Sequence, residues 1–316
     1  MEQADYGKLL DDEIRAFIAE TGSYYPADAV DRTVVGQREV YDRMCRAFFA
    51  GYPEGVSAAD STIPSADGHA VPIRSYRRTE GDPAAAVLYL HGGGFVVGGL
   101  DSHDDVCAEI CARTGFEVVS VDYRLCPEHI HPKAFEDAMA GWASLRAATD
   151  AAIVLAGDSA GGNLAAALSH ATRGEDRPPV GQVLIYPGLG GNIDEGSYVI
   201  HADAPMLKRS DMDFYQAMRS GGADVRGDAT YAALWDTNFT NLPPTFIASA
   251  ECDPLSDDGD VYARRIVEAG GSAVWLNDRG LVHGHLRARH RARRARESFD
   301  RIVQAIDSLG HTGKLP

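Results

Sequence analysis

From about residue 70 the chain alternates between short apolar runs and longer stretches whose apolar positions recur every three or four residues. The short runs, "VPIRSYR", "AAVLYLH", "EVVSVDY", "IVLAG", "QVLIYP", "LPPTFIASA" and "SAVWLN", predict strands. The longer stretches predict helices over about 104–113, 134–147, 160–172, 258–269 and 288–308. Strands with no polar face are covered on both sides, so the alternation predicts an α/β fold with a mostly parallel sheet between two layers of helices. Two segments break the rhythm. Leu9, Leu10, Ile14, Phe17 and Ile18 stand at helical spacing before a break at Tyr24-Tyr25-Pro26, which makes residues 1 to about 55 a helical appendage. Between Gly188 and about Asn241, glycine-rich joints surround a single helical stretch, 210–219, and predict an insertion outside the sheet.

Composition narrows the possible partners. The chain has 316 residues, of which 45% are hydrophobic, enough for a large packed core. With 30 Lys+Arg against 46 Asp+Glu the net charge is -16, which repels nucleic acid and anionic membrane surfaces. No apolar run approaches the length of a membrane span, and the N-terminal segment is acidic where a signal peptide is basic, so a cytoplasmic location is expected. Five cysteines without a C-x-x-C pair predict reduced thiols rather than disulfides or a zinc site. The basic run Arg287 to Arg301 is expected to pair with carboxylates on a solvated helix face, or to form a subunit contact.

The strongest chemical signal is "IVLAGDSAGGNLAAAL". Gly157, Ser159 and Gly161 form G-x-S-x-G between a strand and an Ala-rich helix, the context of a nucleophile elbow. Ser159 would be the nucleophile, at a helix N-terminus that favours developing negative charge. Such a serine needs a base and an acid, which in this setting follow it along the chain on loops after strands. Asp253 follows "TFIASA" and His283 follows "AVWLN". Glu251, Asp257 and Asp258 are rival acids, the last two placed where a helix N-terminus takes acidic caps. By spacing alone His285 rivals His283, whereas His290 is expected at the surface. The triplet Gly92, Gly93 and Gly94 after the strand ending near His91 lets the backbone turn its amides toward a cavity. Gly93, Gly94 and Ala160 are the candidate oxyanion donors, and Gly92 shapes the turn. No metal or organic cofactor is required.

In combination, "HGGGFVVGGLDSH", "VVSVDYRLCPEH", "GDSAGGNLA", "LPPTFIASAECDPLSDDG" and "LVHGH" resemble the bacterial hormone-sensitive-lipase-like family of α/β-hydrolase esterases, from about Ala85 to the C-terminus. The resemblance implies an eight-stranded sheet, and a carboxylesterase that hydrolyses short-chain acyl esters through an acyl-enzyme with Ser159, Asp253 and His283. It selects His283 over His285. It also implies a helical cap, with 1–55 as its N-terminal part, 189–240 as its insertion, and 56–188 and 241–316 as the two parts of the hydrolase core. Many relatives form dimers, so a homodimer is an expectation. The chain departs from the family at His285, Cys126 and Ser256, where Phe, Ala and a basic or other residue are usual. Alternatives on the same scaffold are a ligand receptor of the kind plants use for a hormone, where the histidine is lost, and a deacetylase, amidase or acyltransferase using the same three groups.

Overall fold

The structure, a computed structural model, describes residues 4–26 and 33–316. Helices α1 (Tyr6–Leu9), α2 (Asp12–Ser23) and α3 (Val34–Phe48) precede the sheet. The side chain of Asp11 accepts the Ile14 N–H and that of Thr33 the Gly36 N–H, so each longer helix starts on a side-chain cap. Phe17 packs edge-on against Phe48 at 5.5 Å, and the apolar stripe they share is buried against Leu281, Val282 and Ala288. Residues 1–3 and 27–32 of this appendage lie outside the described residues.

The sheet is formed by β1 (Val56–Pro64), β2 (Ala70–Arg78), β3 (Ala85–Leu90), β4 (Glu117–Val121), β5 (Ala152–Asp158), β6 (Gly181–Ile185), β7 (Thr245–Cys252) and β8 (Ala273–Val282). Their spatial order is β1-β2-β4-β3-β5-β6-β7-β8. Only β2 runs against its neighbours, and every other pairing is parallel. The apolar pattern does not predict β1. That strand is a mostly exposed edge whose nine residues are held by the ladder to β2, from Val56 opposite Arg78 to Pro64 opposite Ala70.

The connecting helices are α4 (Asp104–Thr114), α5 (Lys133–Ala148), α6 (Ala160–Thr172), α7 (Ser197–Ile200), α8 (Arg209–Ser220), α9 (Ser256–Glu268) and α10 (Arg293–Thr312). Alternate strand residues face opposite layers, as the period of two requires. Leu88, Val119, Val121, Leu155 and Leu184 pack with α5, α6 and α9. Val87, Tyr89, Val118, Val154 and Ile185 pack with α4 and α10. The last helix begins at Arg293, later than the pattern predicts, because a short 3-10 turn over His285–Ala288 and the loop after it bury Ala288 and Ala292 beneath α2 and α3.

The arginine run is not one solvated face. Buried Arg289 pairs with Asp105 at 2.6 Å and Glu109 at 2.8 Å. Arg291 reaches Glu20 in α2 and Arg294 reaches Asp11, so these cations tie the C-terminal part of the chain to the N-terminal helices. All five cysteines are buried and free, and among the described residues no helix is long and apolar enough to cross a membrane.

Candidate active site

At the end of β5 the chain makes a tight turn into α6, with Ser159 at φ 53, ψ -115, a conformation most side chains avoid. The flanking glycines are required by contact. A Cβ on Gly157 would stand 2.4 Å from the Gly161 carbonyl oxygen, and one on Gly161 would stand 1.8 Å from that of Leu90. Because the elbow and the end of β3 are pressed backbone to backbone, Gly161→Ala is expected to cost about 2 kcal/mol or more of stability and to remove most activity by shifting Ser159. Denaturant midpoints measured beside turnover would check this, and wild-type values in both would contradict the contact argument.

The structure brings Ser159, His283 and Asp253 together from three loops. His283 Nε2 lies 2.9 Å from Ser159 Oγ, and His283 Nδ1 lies 2.7 Å from Asp253 Oδ2. Asp253 is fully buried, and its other oxygen accepts the Leu255 N–H at 2.9 Å, which aims the carboxylate. A carboxylate only accepts, so Nδ1 carries the proton and Nε2 is left to accept from the serine hydroxyl. Tyr186, just after β6, packs its ring 4.7 Å from that of His283 and supports the imidazole.

The glycine triplet sits opposite the serine. Gly93 and Gly94 have φ 131 and 61, a region open chiefly to glycine, and both line the cavity with Ala160. Among the described residues no acceptor meets the amides of Gly93, Gly94 or Ala160. Gly92 plays the turn-shaping part, because its N–H donates to Asp158 Oδ1 at 2.9 Å and a Cβ there would stand 2.3 Å from Asp158 Oδ2.

Asp158 stands next to Ser159 inside the G-x-S-x-G turn, and nothing in the sequence pattern marks it as part of the site. Its buried carboxylate accepts from the Tyr89 hydroxyl at 2.9 Å and the Tyr186 hydroxyl at 3.3 Å, and meets His103 Nε2 at 3.2 Å. Burial alone would raise its pKa, but His103, the Arg287 charge and the Tyr89 hydroxyl outweigh that effect and hold it below the usual carboxylate range. Asp158 thus joins the elbow to the glycine loop. Beside it, His91 stacks on Tyr123 with centroids 4.3 Å apart and gives its Nδ1–H to the Gly92 carbonyl. Burial, together with nearby His103, pushes the His91 pKa down to about 4, so this imidazole is neutral at physiological pH.

The remaining candidates fall elsewhere. Asp257 and Asp258 do not cap α9 by side-chain bonds. Asp257 accepts the Ser197 N–H, while Asp258 accepts those of Leu189 and Gly190, so both bind the segment after β6. Burial raises the Asp258 pKa to about 6. His285 is fully buried, meeting the Val282 carbonyl and the Ser298 hydroxyl at 3.1 Å each and packing edge-on against Tyr186, so it neither faces solvent nor reaches the serine. His290 is exposed beside Glu109.

Above the serine lies a cavity of about 1310 Å³. Tyr25, Tyr198, Met206, Met212, Phe214 and Tyr215 line it, whereas Phe17, Tyr24, Phe48 and Phe49 do not. Phe17 and Tyr24 instead pack on Phe48, and Phe49 packs on Tyr52. Arg219 of α8 ties the insertion to the residues after β3 and to α6: its guanidinium lies 3.7 Å from the Phe95 ring centroid and 4.1 Å from that of Tyr231, and it donates to the Tyr231 carbonyl and Asn163 Oδ1.

The chain is similar to known hydrolases in sequence and in fold. The sequence profile of a family described as alpha/beta hydrolase fold matches residues 87–287. An ethyl acetate hydrolase of Pseudomonas putida is 35% identical over 269 residues, covering 81% of this chain and 84% of the relative. Carboxylesterase NlhH of Mycobacterium tuberculosis is 38% identical over 230 residues, covering 68% of this chain and 71% of its own. Among solved structures, a hyperthermophilic esterase from the archaeon Pyrobaculum calidifontis superposes with a TM-score of 0.85 at 31% identity, covering 96% of this chain and 99% of that one. A bacterial heroin esterase superposes with a TM-score of 0.84 at 30% identity, covering 96% and 98%.

Proposed function

The chain belongs to the α/β-hydrolase family and is a carboxylic-ester hydrolase, and from that premise we propose that it works through an acyl-enzyme formed on Ser159. In this scheme Ser159 Oγ attacks the ester carbonyl while His283 Nε2 takes its proton, and Asp253 holds the imidazole and stabilises its cation. The amides of Gly93, Gly94 and Ala160 receive the oxyanion. His283 returns the proton to the departing alcohol, then activates the water that releases the acid and restores the serine. The observation that carries the reading is the pair of hydrogen bonds through His283, 2.9 Å to Ser159 and 2.7 Å to Asp253. A complete relay of this kind favours catalysis over a receptor role.

Residues 1–55 and 189–240 act as the cap in this proposal, over a core formed by 56–188 and 241–316. Tyr215 supports a preference for short acyl chains, because its ring stands 2.5 Å from where a Cβ on Gly94 would lie and so closes over the glycine loop. The test is a p-nitrophenyl ester series from acetate to laurate. We expect kcat/KM to peak among the short esters and to fall about tenfold or more toward laurate. A maximum at laurate would reject the chain-length reading, and no cleavage of any ester would reject the catalytic one.

A further inference from the structure

Resting on that esterase reading, we propose that the cavity selects esters bearing a second, anionic group, and that Arg287 is the residue that receives it. The chemical class is a half-ester of a dicarboxylic acid, or a hydroxy acid acylated on its hydroxyl with its carboxylate free.

Arg287 is a cavity residue that lacks a counter-ion among the described residues. It lines the cavity with His283 and Gly284, and its Nη1 is 3.8 Å from where a Cβ on Gly284, next to the proposed base, would stand. Its Nη2 donates to the Tyr41 hydroxyl and, at 3.3 Å, to Cys45 Sγ, with the Tyr41 ring centroid 4.9 Å from the guanidinium. Its Nε is buried with no partner among the described residues. Tyr41 and Cys45 are neutral acceptors, since burial pushes both pKa values up. Among the described residues no carboxylate lies within ion-pair distance of Arg287. The carboxylate that acts on it through space, Asp158, is already engaged by Tyr89, Gly92, His103 and Tyr186.

Its neighbours in the same basic run are treated differently. Arg289, Arg291, Arg294 and Arg301 each have a carboxylate partner. In a chain of net charge -16, leaving the cavity-facing member without one is costly unless a ligand supplies the anion. A guanidinium fork suits a carboxylate because it offers two parallel N–H donors. The other charged groups of the cavity are occupied. Arg219 is held between two rings and by carbonyls, Asp213 pairs with Arg209, Asp224 pairs with Arg226, and Asp211 accepts the Lys208 backbone N–H, whereas the Lys208 side chain is exposed and so, unlike Arg287, can be solvated by water.

The test compares isosteric pairs at physiological ionic strength, where the net charge of the chain is screened. Monoethyl adipate against ethyl hexanoate puts the charge on the acyl side, and γ-acetoxybutyrate against butyl acetate puts it on the alcohol side. For at least one pair we expect the kcat/KM ratio to favour the anion, and Arg287→Gln to lower that ratio about tenfold or more, with Arg287→Lys intermediate. The pair that responds identifies which half of the ester carries the charge. Ratios favouring the neutral ester in both pairs, or a ratio untouched by Arg287→Gln, would overturn the proposal. Should Arg287→Gln fail to fold, the wild-type ratios and competitive inhibition by adipate decide: neutral preference without inhibition overturns it. Cleavage of none of the four esters would instead count against the esterase reading itself.

Discussion

Replacing Ser159 with alanine is expected to lower ester turnover by roughly 10⁵- to 10⁶-fold while leaving the fold intact. The hydroxyl makes one side-chain bond, to His283, and it does not cap α6, so its removal breaks no structural contact beyond the relay. The backbone at φ 53 is as strained for serine as for alanine, since both carry a Cβ, so the substitution adds no backbone strain. Residual activity would come from the amides facing the cavity and from substrate binding. Stopped-flow measurement of the p-nitrophenol burst, with circular dichroism as the fold control, checks both halves. A folded variant that kept the burst would remove Ser159 from the mechanism.

The second large effect is expected at Asp253. Asp253→Asn conserves volume and can still accept the Leu255 N–H, so the buried site stays packed. Its amide group, however, can donate toward His283 Nδ1, which puts the imidazole proton on Nε2 and leaves nothing to accept from Ser159. A loss of kcat of about 10⁴-fold is expected, by analogy with the same change in other triads, with KM little altered because Asp253 does not line the cavity. Steady-state kinetics on a short ester decides it. A loss below about tenfold would show that Asp253 does not set the tautomer, and would return attention to Glu251, whose Oε2 accepts the Gly280 N–H.

The parts of the site that could be read from sequence share one property: their signals are local. Ser159 is marked by glycines that its own turn requires, and Asp253 and His283 each follow a recognisable strand. Each of β2 to β8 is matched by an apolar run, because its side chains enter the core directly. What could not be read is non-local. The exposed edge strand β1 exists because β2 supplies its hydrogen bonds. Asp257 and Asp258 have the spacing of helix caps, yet they bind amides some sixty residues away, at Ser197, Leu189 and Gly190. His285 rivals His283 by spacing, and only the packing of Tyr186 and Ser298 around it shows it to be buried away from the serine.

By itself, then, the order of residues determined the α/β alternation, the elbow motif and the glycine loop, since each depends on backbone conformation and burial within a few neighbouring residues, and it marked Asp253 and His283 as candidates, with the resemblance to a family needed to choose His283 over His285. Tertiary structure alone decided the contacts of the Asp158 carboxylate, the sorting of aromatics between cavity and packing, and the placing of Arg287 where no carboxylate among the described residues pairs with it. The reason is physical. Charge and hydrogen-bond balance are properties of groups in contact, and the contacts of Asp158 and Arg287 join segments distant along the chain, so their partners, or the absence of one, exist only after the sheet has closed around them.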